Sequence, residues 1–61
     1  MIDPVFDGYI TAIEEAKRES FLHQDQFIYV IKIGKLYQLS TVGIIQEGKI
    51  IATFHRGEKV L

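Results

Sequence analysis

The sequence contains no cysteine and no tryptophan, and only one of its 61 residues is proline. Without cysteine the chain can form no disulfide, and it offers neither a thiolate nucleophile nor a cysteine-type zinc site. It also lacks the run of about 18 apolar residues that a membrane-spanning helix requires. The first residues have neither the basic region nor the apolar stretch of a signal peptide, so a cytoplasmic location is expected.

Size and composition indicate one small folded domain, residues 1–61. Hydrophobic residues make up 48% of the chain and the formal net charge is only −1, a balance that argues against intrinsic disorder. A chain of 61 residues cannot build a second core, which excludes a two-domain enzyme. In so short a chain, the free energy gained by burying apolar surface barely exceeds the conformational entropy cost of ordering the chain. Self-association is therefore an expected source of further buried area.

The first twenty residues carry the signals of an amphipathic helix. Asp3 can cap a helix N-terminus, and Pro4 suits the first helical position, where no backbone N–H is needed. At about 100° per residue the apolar side chains that follow fall in one stripe, with charged side chains opposite. The pattern predicts a helix over residues 4–20, although Gly8 is unfavourable in its interior. The apolar stripe consists of Phe6, Tyr9, Ile10, Ile13 and Ala16.

Beyond the helix the apolar periodicity changes from helical to alternating, which predicts β-strands. Strands are predicted over residues 26–33, 36–45 and 49–55, separated by tight turns at Gly34-Lys35 and Glu47-Gly48. The predicted fold is therefore α+β. It consists of a single N-terminal amphipathic helix packed on a three-stranded antiparallel meander, αβββ, which is expected to be completed by dimerisation.

Each predicted turn also determines how its two strands pair. Two-residue loops place Ile33 opposite Leu36 in the first hairpin and Gln46 opposite Lys49 in the second. Alternation along the strands then gives two sheet faces, and both are rich in large apolar side chains. One helix can cover only one of them, and an antiparallel sheet with a solvated second face should alternate apolar with polar residues.

We expect the helix to cover the face that carries Gly43 and Ala52, because small residues allow a helix to approach closely. The opposite face would then be exposed, and a contiguous apolar patch of that size marks an interface in a soluble protein. The predicted interface residues are Phe27, Tyr29, Ile31, Ile33, Val42, Ile44 and Ile51.

Residue types suited to catalysis or metal binding occur, but their spacing does not assemble a site. Ser20, His23 and Asp25 are the residue types of a catalytic triad, yet nothing in the connector that follows the helix makes them converge. His55 and Glu58, on either side of a turn, are the best placed metal ligands and too few to hold a metal ion. No glycine-rich phosphate-binding motif is present. We therefore expect no enzyme activity, no cofactor and no metal.

The charges are distributed unevenly along the chain. Residues 1–25 hold six acidic and two basic residues, whereas residues 26–61 hold two acidic and five basic ones. A basic sheet with aromatic residues can bind nucleic acid, since lysines contact phosphates and aromatic rings stack on bases. The competing interpretation is that the aromatics form the core and the lysines protect sheet edges from aggregation. The residues that would contact nucleic acid are Lys32, Lys35, Tyr37 and Arg56.

The function expected from the sequence is non-catalytic. A small cytoplasmic protein with surplus apolar surface and no catalytic constellation is expected to act by binding another protein, as an accessory factor or an inhibitor does, and to form a homodimer. The alternative is a regulator that binds nucleic acid through the basic, aromatic-bearing sheet. No membrane partner is expected.

Overall fold

The structure is a computed structural model that describes residues 5–41 and 48–60. One helix packs on a five-stranded sheet, and every strand pair is antiparallel, which confirms the predicted α+β class. The spatial order of the strands is β1-β3-β2-β4-β5. Within the described residues no helix is long and apolar enough to cross a membrane. The elements are β1 (Val5–Phe6), α1 (Tyr9–Leu22), β2 (Phe27–Ile33), β3 (Leu36–Ser40), β4 (Lys49–His55) and β5 (Glu58–Lys59).

The helix begins later than predicted because the residues before it form a strand. Val5 and Phe6 pair with β3, and Gly8 is the extended N-cap of α1, with no side-chain capping hydrogen bond. Glycine is unfavourable in a helix interior. The backbone N–H and C=O groups of Val5 and Phe6 find partners on β3 and do not need helical hydrogen bonds. The predicted cap at Asp3 and Pro4 lies outside the described residues. At its other end the helix continues two residues beyond the predicted end at Ser20.

The turn between β2 and β3 was predicted correctly. Ile33 lies opposite Leu36, and Gly34 has φ 61°, a conformation that glycine adopts without strain. A second two-residue hairpin joins β4 to β5 through Arg56 and Gly57, whose φ angles are 55° and 81°. Positive φ at both loop positions is the requirement of a type I′ turn. The β5 strand that this turn adds was not predicted.

The predicted order of the three long strands is wrong. Strand β4 pairs with β2, so that β2 lies in the centre of the sheet with β3 on one side and β4 on the other. The described sheet is therefore not a meander. A physical reason is that β2 is the most continuously apolar segment, and the central position buries it best. Gln46, which was predicted to pair with Lys49, lies outside the described residues. The predicted strand residues 42–45 also lie outside them.

The hydrophobic core lies between α1 and the sheet. Ala12 and Ala16 are fully buried on the helix, where their small side chains allow close packing against the strands. Ala52 is one of the buried sheet residues, which confirms that the helix covers the face chosen from the sequence, whereas Gly43 lies outside the described residues. The sheet residues in this cluster are Ile28, Val30, Leu39, Ala52 and Phe54.

A β-bulge changes which side chains of β4 face the helix. Val30 pairs with Ala52, but the next residue, Ile31, pairs with Ile50, so Ile51 is the extra residue in β4. The predicted faces are therefore reversed at two positions. Ile50 shares the side of Ile31, away from the helix, and Ile51 packs against the core cluster instead of facing outward.

Candidate binding surface

The sheet face turned away from α1, which we call the distal face, carries exposed apolar side chains across the sheet. Cross-strand partners share a face, and the pairs of β1, β2, β3 and β4 therefore place alternate residues on this side. Val60 follows β5, and its N–H donates a hydrogen bond to the carbonyl of Thr53, which continues the same register. The most exposed apolar residues on the distal face are Val5 (51%), Leu36 (46%), Val60 (46%) and Phe27 (45%).

Charged residues are almost excluded from the distal face in the described part of the sheet. Glu58, opposite His55 at the last hairpin, is the only carboxylate that the strand register places there. The strand lysines lie on the other side, because Lys32 pairs with Tyr37 and Lys59 with the buried Phe54. The register also places the uncharged polar side chains of Gln38, Ser40 and Thr53 between the apolar ones. A face of apolar and uncharged polar residues with its charge at the margin is the composition of an interface centre.

One aromatic pair marks the end of the distal face nearest to the last hairpin. The rings of Phe27 and His55 are stacked, with centroids 4.2 Å apart and planes inclined by 12°. They are cross-strand partners on β2 and β4. Phe27 remains 45% exposed, so the stack presents one apolar ring to solvent.

The residues predicted for the interface are in different environments. Phe27 is exposed and Tyr29 and Ile33 are half-buried on the distal face, but Ile31 is only 3% exposed, so the expected exposure of Ile31 is wrong. Gly48 lies so close that a methyl group on it would be 3.0 Å from Ile31 Cγ2 and 2.7 Å from Ile33 Cγ1. The main chain entering β4 thus contacts both isoleucines. Ile51 belongs to the core as described above, and Val42 and Ile44 lie outside the described residues.

Three exposed residues of the distal face, Val5, Leu36 and Val60, were not among the predicted interface residues. Alternation placed Leu36 on this face, but it was not included in the interface. Val5 was assigned to the helix, and Val60 was assigned to neither a helix nor a strand. The signal that could have found Val5 is Gly8, whose position in a predicted helix interior indicates a later helix start. For Val60 the signal is the Arg56-Gly57 dipeptide, because glycine at a two-residue loop allows the chain to return as another strand.

Lysine side chains gather at the opposite end of the sheet, on the side that faces the helix. Lys32 lies directly across from Lys49, and its Nζ is 5.9 Å from the ring centroid of Tyr37. Lys35 lies in the adjacent turn, and all three lysines are exposed. We call Lys32, Lys35 and Lys49 the basic end. The sequence analysis missed Lys49 because it paired that residue with Gln46.

The structure does not bring together all the residues predicted for nucleic-acid contact. Arg56 lies in the last hairpin, at the other end of β4 and about 20 Å from Lys49 at about 3.3 Å per strand residue. The ring of Tyr37 packs against the core cluster and meets Tyr9 edge-on, with centroids 5.7 Å apart. Phe27 lies on the distal face, away from the strand lysines. Of the predicted combination, the described residues place one half-buried ring, Tyr37, beside Lys32, and leave Arg56 and Phe27 elsewhere.

Ser20 has a structural partner on the last hairpin. Its side chain is completely buried, and its Oγ donates a hydrogen bond to the carbonyl of Lys17 and accepts one from the N–H of Gly57, both at 2.9 Å. His23 instead lies 3.4 Å from Glu19, and both side chains are partly exposed. Within the described residues no group of three or more side chains has the composition of a metal site. Ser20 thus fastens the helix end to the β4–β5 turn.

Removal of the Ser20 hydroxyl should destabilise the fold, because the Gly57 N–H would lose its partner. We expect Ser20→Ala to lower the free energy of unfolding by about 1–3 kcal/mol, the range for an unsatisfied buried group. Urea unfolding followed by circular dichroism measures the change. Thr11→Ala, on the exposed side of the same helix, is the control and should stay within about 0.5 kcal/mol of the parent. Equal effects of both substitutions would contradict this role.

An open groove lies beside the same hairpin. It has a volume of about 320 Å³ and is lined by side chains of α1, among them Phe21, which is 60% exposed and contacts Gly57. Arg18 at its rim donates a 2.7 Å hydrogen bond to Glu15, which lowers the pKa of that carboxyl from its ordinary value. Both charged groups are solvent-exposed. The groove contains no buried polar group that would fix a ligand.

Comparison with protein-family models, with curated proteins and with solved structures finds no match to this chain. The function must therefore be argued from the two surfaces themselves, the apolar distal face and the basic end.

Proposed function

We propose that this chain is a non-catalytic protein-binding module that pairs through its distal face with the same face of a second copy. The observation that carries the proposal is the set of exposed apolar side chains that the strand register places on the distal face, Val5, Leu36, Phe27 and Val60. Exposed apolar surface of this extent is a recognised mark of a protein interface. An accessory or inhibitor-type role toward another protein requires the same kind of surface.

Self-pairing suits this face because a two-fold dimer brings each surface against itself. A charged patch would then meet its own sign, whereas the described part of the distal face has one carboxylate, Glu58, near its margin. The half-buried residues Tyr29 and Ile33 add apolar area between the exposed ones. Apolar side chains without charge can therefore interdigitate across the two-fold axis at little electrostatic cost.

The distal face has the area of a weak dimer. With strands about 4.8 Å apart and about 3.4 Å of rise per residue, the 23 described strand residues have a footprint of about 380 Å². Two copies would bury about 750 Å², below the roughly 1,000 Å² of stable specific interfaces and in the range of weak, transient ones. We therefore expect a dissociation constant in the micromolar range.

Sedimentation velocity over a range of concentrations tests the proposal. The 7.0 kDa chain should shift toward a mass of about 14 kDa between about 5 and about 500 μM. Leu36→Gln removes an exposed apolar side chain from the distal face without changing the charge. We expect it to raise the dissociation constant at least about tenfold. A symmetric dimer carries the substitution twice, and a loss of about 0.7 kcal/mol at each position adds up to about 1.4 kcal/mol, which corresponds to that factor.

Leu22→Gln is the matched control, because Leu22 is 57% exposed on α1 and undergoes the same chemical change away from the distal face. Its dissociation constant should equal that of the parent chain. A chain that stays at 7 kDa at the highest concentration would overturn the self-pairing, as would equal effects of the two glutamine variants. Ile31→Glu is unsuitable for this test, because Ile31 is buried and the variant would unfold.

A further inference from the structure

We propose that the basic end is a binding site for the phosphodiester backbone of nucleic acid, separate from the distal face. The observation is the placement of Lys32 directly opposite Lys49 on the same side of the sheet, with Lys35 in the neighbouring turn. Like charges directly opposite each other on adjacent strands destabilise a sheet. No carboxylate of the described residues lies within ion-pair distance of either strand lysine.

Protection of sheet edges accounts for Lys49, because β5 pairs only with the far end of β4, but it does not account for Lys32. Lysines on edge strands discourage aggregation, but Lys32 lies on β2, the central strand, with Tyr37 on one side and Lys49 on the other. The contact between the Lys32 ammonium and the Tyr37 ring, at 5.9 Å, holds the charge near the strand end rather than neutralising it. An anion from outside the described chain would relieve the repulsion between the two lysines.

A linear polyanion fits these lysines better than a small anion. All three are exposed, so nothing encloses a single phosphate or fixes its orientation. A nucleic-acid backbone presents phosphates in succession, and flexible lysines can contact them without a preformed pocket. Tyr37, the ring beside Lys32, packs against the core cluster, and the rings of Phe27 and Tyr29 lie on the other face. The site should therefore bind the backbone without preference for base sequence.

Fluorescence anisotropy tests the site. The probes are labelled single-stranded and duplex oligonucleotides of about 20 nucleotides, and the salt concentration ranges from about 20 to about 200 mM. We expect binding that weakens with salt, with a logarithmic slope near −2 for single strands if three phosphates are contacted. Lys32→Gln combined with Lys49→Gln should weaken binding at least about tenfold at the lowest salt and reduce the slope by about 1.4.

Arg56→Gln combined with Lys59→Gln is the matched control, because it removes the same charge from the opposite end of the sheet. It should change the affinity by less than about threefold. Equal losses in the two double variants would show a response to net charge alone and would overturn the site. The absence of binding at the lowest salt, or binding that does not depend on salt, would also overturn it.

Thermal unfolding shows whether weaker oligonucleotide binding comes from the missing lysines or from a destabilised fold. The Lys32→Gln and Lys49→Gln double variant should melt at or above the temperature of the parent chain, because the repulsive pair is removed. If the double variant fails to fold, the binding experiment uses the single variant Lys49→Gln. Its logarithmic salt slope should be smaller than that of the parent chain by about 0.7. Oligonucleotide binding unchanged in that folded single variant would contradict the proposal.

Discussion

Phe54→Ala is expected to leave most of the chain unfolded at 25 °C. Phe54 is 3% exposed and packs in the cluster that joins α1 to the sheet, opposite Ile28 on β2. Removing a buried phenyl ring costs about 3–5 kcal/mol in transfer free energy and cavity formation. A core in a domain of this size rarely supplies more than about 3–5 kcal/mol, so the loss equals the whole stability.

Circular dichroism of the variant at 25 °C, with urea titrations where a transition remains, measures this effect. Phe27→Ala is the matched control, since Phe27 is 45% exposed on the distal face and loses the same atoms. It should cost about 1 kcal/mol and leave the chain folded. Equal destabilisation by the two alanine substitutions would contradict the assignment of the core to the helix side of the sheet.

The second large effect is expected at Gly48, the residue that leads into β4. Its φ of 84° is strained for any other residue, and a methyl group there would lie 2.5 Å from the carbonyl oxygen of Lys32 and 2.7 Å from Ile33 Cγ1. Backbone strain alone costs about 1–3 kcal/mol, and the contact with the main chain of β2 adds to it. We expect Gly48→Ala to lower the free energy of unfolding by about 3 kcal/mol or more.

Gly34→Ala provides the comparison for Gly48. Gly34 also has a positive φ, 61°, but no heavy atom lies within 4 Å of the position that its methyl group would take. Its substitution should therefore cost only the conformational strain, about 1 kcal/mol. Urea unfolding of both variants separates the two contributions. If Gly34→Ala proves as damaging as Gly48→Ala, the close approach of Gly48 to β2 is not the cause.

The sequence predicted those parts of the fold that depend on local signals. The Gly34-Lys35 turn, the pairing of Ile33 with Leu36 and the side of β2 that faces the helix all follow from turn chemistry and alternation of side chains. The same alternation correctly assigned Phe27 to the distal face. These features are determined by residues adjacent in the chain or one hairpin apart.

The late helix start and the β5 strand had local signals, at Gly8 and at Arg56-Gly57, that were not used. The remaining errors concern pairings between distant residues. The partner of β4 is β2 rather than β3, and the bulge at Ile51 moves Ile50 and Ile51 to faces opposite to the predicted ones. Neither leaves a local signal, because a strand of alternating residues can pair with any neighbour of suitable apolar character. Lys49 was missed as a partner of Lys32 for the same reason. The predicted homodimer remains a proposal for the sedimentation experiment to decide.

The central position of β2 determines when the chain can fold during synthesis. Strand β2 leaves the ribosome before either of its neighbours, and its second partner, β4, is not complete until His55. Until then Ile28 and Val30 have the helix above them but lack Ala52 and Phe54 beside them. The hydroxyl of Ser20 gains its hydrogen-bond donor later still, because the N–H of Gly57 is synthesised 37 residues after Ser20. A nascent chain that stops before β4 should therefore remain unfolded and exposed to proteases and chaperones.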